Sequence, residues 1–242
     1  MSPSRETELR RLIARPFAHR GLHGQGRIEN SRAAFAAAIE ARHGIELDVQ
    51  AIKFGEPVVF HDYELERLTE ARGPVAGLGF EDIATVRLRG SDETLPTLEE
   101  VLKLVSGRVP LLIEIKSRGP AYHQLCYWVA SALHGYQGPV AVMSFNPRVG
   151  HWFARHFPRF LRGLVVSEQG KKGPRGWIER HASLAWARAD FLAYDIRDLP
   201  SAFAESAQRR GLRVLTWTVR TLSERARAAE HADQIIYEVA PR

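Results

Sequence analysis

The chain has 242 residues, of which 45% are hydrophobic and 26% charged, enough for one large core or two small ones. Residues 1–15 alternate charge with isolated apolar side chains, and no later run reaches the ~18 to 20 apolar residues of a membrane span, so neither an export signal nor a transmembrane helix is expected. The formal charge of +6 comes mainly from scattered arginines; Arg10-Arg11, Lys171-Lys172 and Arg209-Arg210 are short, separated pairs without interleaved aromatics, which argues against a nucleic-acid partner and leaves anionic lipid surfaces and anionic small molecules.

Short apolar segments alternate with amphipathic ones along the chain, the rhythm of parallel strands joined by crossover helices. Strands are predicted at residues 16–19, 45–49, 111–115, 140–144, 163–167, 191–195, 213–219 and 234–237. Helices are predicted at 31–42 with Asn30 as its cap, 98–105 after Pro96-Thr97, 122–133, 148–156, 201–210 and 222–230. Eight such strand and helix units in about 250 residues point to a (β/α)8 TIM barrel. Residues 58–61 are also strand-like. Too few residues separate them from 49 for a crossover helix, so an antiparallel hairpin arm is expected after strand 2, turning at Phe54-Gly55. Residues 63–96 are too long for an ordinary loop and carry turn signals at Gly73-Pro74, Gly77 and Gly79 with a short helix near 80–86; they form a small insertion in a single domain spanning 1–242. The lone Cys126 lies in a helix-like stretch and is expected to be a buried, inert thiol; redox and zinc chemistry are unsupported, and a cytoplasmic protein is expected.

Barrel enzymes place reactive groups at the carboxyl ends of their strands. His19, Arg20, Glu46, Asp48, Glu114, Lys116 and Trp217 fall at such ends. Glu46 and Asp48 are two residues apart in an apolar strand, so both carboxylates leave one face, and Glu114 and Lys116 repeat the step. Two acids on one buried face require protonation, a basic partner, or a hard cation bound through oxygen. The hairpin would bring His61 beside Asp48. Histidines near neutral pH, a divalent ion, and Arg20 and Lys116 against phosphate oxygens suggest metal-assisted attack at phosphorus. Simpler readings stand beside this one: Glu46 and Asp48 could pair with arginines, Glu114 and Lys116 with each other, and the other eight histidines are expected to be surface or structural.

The segments His19-Arg20-Gly21, Glu29-Asn30, Glu46-Leu47-Asp48-Val49 and Val58-Val59-Phe60-His61-Asp62 together resemble the glycerophosphodiester phosphodiesterase family. So do Leu112-Ile113-Glu114-Ile115-Lys116, Ser144-Phe145-Asn146-Pro147 and Thr216-Trp217-Thr218-Val219, and the likeness covers nearly the whole chain. The resemblance implies a hydrolase that releases sn-glycerol 3-phosphate and an alcohol from a small anionic phosphodiester. His19 and His61 would be acid and base, and Glu46, Asp48 and Glu114 would hold one Mg²⁺ or Ca²⁺. Arg20, Lys116 and Trp217 would contact substrate, with Glu29 and Asn30 in support: Glu29 orienting Arg20 or joining the ion site, Asn30 capping its helix. A substrate hydroxyl would attack first to give a cyclic phosphate that water then opens.

Three departures stand out. Phe54 replaces the usual aspartate of Lys-Asp-Gly and places an aromatic at the mouth, Arg220 replaces an asparagine after Trp-Thr-Val, and Tyr237-Glu238 replaces Thr-Asp at the end of the last strand. These are expected to touch the rim and the final strand, not the metal and proton groups. Alternatives are a lysophospholipase D-like or sphingolipid phosphodiesterase and a catalytically silent barrel that binds anionic metabolites. The alcohol, the ion and the oligomeric state are not legible.

Overall fold

The computed structural model describes residues 2–117 and 122–239, so the outermost residues of the expected 1–242 unit lie outside it. Eight parallel strands close on themselves: β1 (Phe17–His19), β2 (Gly44–Ala51), β4 (Leu111–Ile115), β5 (Val140–Ser144), β6 (Leu161–Val166), β7 (Phe191–Asp195), β8 (Arg213–Val219) and β9 (Gln234–Tyr237). They neighbour one another in that order, and β1 pairs with both β2 and β9 to complete the barrel. A ninth strand, β3 (Pro57–Val59), lies antiparallel on the end of β2 with Val59 opposite Val49. The expected barrel is the observed one. Strand β6 begins two residues earlier than its apolar pattern suggests, because Leu161 faces the barrel interior.

The two faces of each strand explain the layers. Outward residues such as Ile45, Leu47, Val49, Ile113, Val142, Leu164, Leu192 and Val214 join the large core beneath the helices. Those helices include α2 (Arg32–Glu40), α4 (Leu98–Val105), α5 (Tyr122–Ala132), α6 (Pro147–His156), α8 (Ala202–Arg209) and α9 (Leu222–His231). Inward residues low in the barrel, Phe17, Leu112, Ala141, Leu161, Phe191, Leu215 and Ile236, form a second apolar cluster. Glycines make room for its rings: a Cβ at Gly44 would lie 2.5 Å from the Phe17 ring, and one at Gly163 the same distance from Phe191. Two residues beyond Phe17, Leu112 and Ile236 the positions are His19, Glu114 and Glu238, while Met143 and Ala193 keep β5 and β7 apolar, so the polar floor of the candidate site lies on the β1, β2, β4 and β9 side.

Two helices escape the periodicity. Helix α1 (Pro3–Leu12) is polar apart from Leu9 and Leu12, yet both leucines are fully buried and close the amino-terminal end of the barrel. Arg5 locks it there through Asp190 and the carbonyls of Pro158 and Phe160. Helix α7 (Pro174–Ala187) buries only Gly176, Arg180 and Ala187, too narrow a stripe to show as an apolar face. The segment after β3 carries its own small core of Phe60, Leu65, Val75, Ile83, Leu88 and Leu95, with α3 (Phe80–Ile83) at its edge. Cys126 is buried and free, and burial pushes its thiol above the usual range. Among the described residues no helix is long and apolar enough to cross a membrane.

Because Leu9 fills the barrel base with no other element to replace it, Leu9→Ala should lower stability by about 2–4 kcal/mol, the usual cost of a buried leucine cavity. Urea unfolding with an unchanged m-value is the measure; a loss below about 0.5 kcal/mol would show that α1 is not a structural plug.

Candidate active site

The polar layer opens into a cavity of about 390 Å³ at the carboxyl ends of the strands. His19, Arg20, Glu46, His61, Glu114, Lys116 and Trp217 all line it, so seven of the ten residues singled out in the sequence meet at one opening. Asp48 sits just beneath. The register places Glu46 beside His19 and Asp48 beside Glu114, so strand pairing alone gathers these groups.

Glu46, Asp48 and Glu114 are all buried, and one oxygen of each lies within 4.8 Å of the others. Lys116 answers part of this charge: its Nζ is 2.6 Å from Glu114 Oε1 and 3.0 Å from Asp48 Oδ1. On the other side of Asp48, Arg20 Nε is 3.3 Å from Oδ2, which also accepts a 2.9 Å hydrogen bond from the Asn30 amide. Burial alone would raise the Asp48 carboxyl, but Lys116 and Arg20 outweigh it and hold the group well below the usual carboxylate range. Glu46 fares differently. Its Oε2 accepts from the Arg20 backbone N–H at 3.1 Å, while Oε1 is buried and has no hydrogen-bond partner among the described residues. Burial, then Asp48 and Glu114, push Glu46 well above its ordinary pKa, and burial chiefly raises Glu114.

This arrangement fits a hard divalent cation. Oxygens about 2.0–2.6 Å from one ion can be at most about 5 Å apart, and the three carboxylates meet that limit. An orphaned, buried carboxylate oxygen in an all-oxygen donor set is a position a cation would fill. Glu29 stands outside this group: it accepts from Arg20 at 2.7 Å and from Arg67, so it orients the arginine.

Asn30 is not the helix cap expected of it. Ser31 caps α2, accepting from the Ala34 N–H at 3.1 Å, and this leaves the Asn30 side chain free to bind Asp48. The last-strand departure also needs correcting. Glu238 is no mere rim residue, because its Oε1 lies 2.6 Å from His19 Nδ1, and Arg220 pairs with the same carboxylate. Phe54 is exposed beneath the Lys53 ammonium and does not line the cavity; the aromatic at the mouth is Phe145, packed edge-on against Trp217 at 5.6 Å. Tyr237 points outward into the helix-covered core, where its hydroxyl meets His43 Nδ1.

His61 follows β3 and is held by its neighbour, with Nδ1 2.7 Å from Asp62 Oδ1. Arg67, from the segment after β3, clamps Asp62 and Glu29 together. Burial is the largest influence on both His19 and His61 and lowers the pKa of each. Sequence reasoning missed Glu238, Asp62 and Arg67. Of these Asp62 carried a signal in its place within the His61-Asp62 pair, and Glu238 another in standing where the resembled family closes its last strand with an aspartate.

A family model described as the glycerophosphoryl diester phosphodiesterase family matches residues 19–238. The chain is 30% identical over 214 residues to a glycerophosphodiester phosphodiesterase of Caldanaerobacter subterraneus subsp. tengcongensis, covering 84% of each protein. To the uncharacterized protein YqiK of Bacillus subtilis it is 34% identical over 162 residues, 63% of this chain and 66% of that one. Its fold is similar to that of an Oleispira antarctica phosphodiesterase in complex with the product sn-glycerol-3-phosphate, with a TM-score of 0.82 over 93% of both chains at 23% identity. The chain belongs to the glycerophosphoryl diester phosphodiesterase family.

Proposed function

We propose that the chain hydrolyses glycerophosphodiesters to sn-glycerol 3-phosphate and an alcohol, with His19 and His61 as the proton-transfer pair and Mg²⁺ or Ca²⁺ at Glu46, Asp48 and Glu114. The supporting observation is the convergence of both imidazoles with Glu46, Glu114, Lys116 and Arg20 on one cavity. The product held by the Oleispira antarctica structure and the name of the Caldanaerobacter relative agree with this reading.

The chemistry needs no protein nucleophile. The substrate hydroxyl next to the phosphate attacks phosphorus while one imidazole takes its proton. The bond from phosphorus to the leaving alcohol breaks, and the other histidine, which enters the step as imidazolium, gives that oxygen its proton. Water then opens the cyclic phosphate with the two roles exchanged, which restores both histidines. A bound divalent ion supplies positive charge to the phosphate oxygens. Arg20 and Lys116 add fixed cationic charge on the same wall. Trp217, whose indole N–H donates to the Ala193 carbonyl at 2.8 Å, presents a rigid apolar wall with Phe145 for the carbon skeleton of the substrate. We further propose that the chain works as one catalytic domain, in which the segment 63–96 serves the mouth through Arg67.

Hydrolysis of glycerophosphocholine should collapse on exhaustive chelation and return with Mg²⁺ or Ca²⁺, read by glycerol 3-phosphate release; activity undiminished by chelation would refute the ion site. His19→Ala and His61→Ala should each lower turnover by about 10² to 10⁴ with the fold intact by circular dichroism. Near-normal turnover in either variant would remove that residue from the mechanism.

The carboxylate cluster makes a separate prediction about stability. Glu46 is strained as an anion when no cation is bound, so Glu46→Gln should be at least as stable as the parent in chelator. It should also lose the rise in Tm that added Mg²⁺ or Ca²⁺ gives the parent. Thermal denaturation with and without the ion measures both, and an equal ion-dependent rise in parent and variant would exclude Glu46 as a ligand.

A further inference from the structure

His19 is gripped by a fourth carboxylate that stands apart from the cation cluster. Glu238 Oε1 lies 2.6 Å from His19 Nδ1, and the same carboxylate receives two contacts from one guanidinium: Arg220 Nε donates to Oε2 at 2.7 Å and Nη2 to Oε1 at 3.0 Å. Both residues are fixed at the backbone. The Glu238 N–H donates to the Val219 carbonyl at 3.0 Å, and the Arg220 N–H donates to Glu224 Oε2 at 2.7 Å, beside the Thr221 capping box that opens α9. Burial favours the neutral form of Glu238, yet His19, then His23, whose Nε2 lies 3.9 Å from Oε1, then Arg220 outweigh burial and favour the ionised form.

An ionised carboxylate can only accept, so the proton of neutral His19 must sit on Nδ1. Nε2 is then bare and directed at the cavity side, 3.8 Å from Glu46 Oε2. The guanidinium fork does more than neutralise. By holding both oxygens it stops Glu238 from rotating. An asparagine at 220 has one short amide and could not span both oxygens, so the two departures at 220 and 238 are explained by each other.

We propose that Arg220 and Glu238 act as one positioning unit that fixes His19 in the Nδ1–H tautomer with Nε2 facing the reacting phosphate. This rests on the proton-transfer role proposed for His19. Neither residue touches substrate in this account; both act through the imidazole.

Glu238→Gln tests it with little change in volume, because the new NH₂ group would face a donor at either position, Nε or Nη2 of Arg220. With glycerophosphocholine at saturating Mg²⁺, kcat should fall about 10²-fold or more while KM stays within about threefold. The ¹⁵N spectrum of labelled imidazoles, with His19 assigned by its loss in His19→Asn, should show the Nδ1–H pattern in the parent and its loss in the variant. Arg220→Ala leaves the carboxylate present but free to turn, and should lower kcat about tenfold with a mixed tautomer signal. If Glu238→Gln fails to fold, Arg220→Ala carries the test alone. Values of kcat within twofold of the parent in every folded variant, or an unchanged His19 nitrogen signal, would overturn the proposal. A parent that turns over no phosphodiester would instead refute the proposed activity, while the nitrogen signal would still decide the tautomer.

Discussion

The crowding of three buried carboxylates at the ends of β2 and β4 is the constraint from which the rest of the site follows. Such a group requires cationic neighbours, protonation or a bound cation. Lys116 comes from the same strand as Glu114, two residues on, and so reaches the cluster by the period of the strand itself. Arg20 and Asn30 have to be brought in by the loop between β1 and α2. That loop holds Arg20 and Asn30 at φ 56°, in the left-handed region, and ties itself together with a 2.9 Å bond from the Asn30 N–H to the Arg20 carbonyl. A left-handed arginine costs about 1–2 kcal/mol, and asparagine somewhat less. The return is that the Arg20 N–H meets Glu46 and the Asn30 amide meets Asp48. Gly21, at φ 80°, packs where a Cβ would lie 2.9 Å from Ala34, so the His19-Arg20-Gly21 sequence is fixed by backbone as much as by chemistry.

On one side of the barrel the interior changes character over a single step of the strand period. Phe17, Leu112 and Ile236 lie in the apolar layer; His19, Glu114 and Glu238 lie two residues beyond them. The lower layer, sealed by Leu9 and Leu12, excludes water from beneath the carboxylates. Burial raises Glu46 and Glu114 and depresses both histidines, and this layer contributes to that burial for the groups that stand directly on it. Structural closure of the barrel base and electrostatic tension at its mouth are therefore one device.

What the sequence made legible follows from these periods. Strand spacing exposed the carboxylate pair and the acid and base pair, since both depend only on alternation along one strand, and the βα rhythm exposed the barrel. Contacts across the chain were hidden. Helix α1 buries two leucines in a polar decapeptide, which no local hydrophobic pattern distinguishes from a solvated arm. Asn30 looked like a cap because asparagine before a helical run usually is one, and the adjacent Ser31 took that role. Glu238 is separated from His19 by 219 positions, and only the closing of β9 against β1 brings them together.

That closure links folding to the site. The seam pairs Phe17 with Ile236 and Ala18 with Tyr237, and one step further along the strands His19 meets Glu238. On the far side of the cavity, His61 is held by Asp62, and Asp62 by Arg67 from the segment after β3. Each imidazole thus ends a relay of arginine, carboxylate and histidine, one built across the seam between the two ends of the chain and one built locally beside β3. The proton-transfer pair proposed here calls for two histidines that are oriented separately and do not bond to each other, since each must be able to gain or lose a proton without dictating the state of the other. Supporting them from elements so distant in the chain achieves that separation. It also means that the complete constellation exists only when the barrel has shut, because the contact of His19 with Glu238 depends on the pairing of β1 with β9.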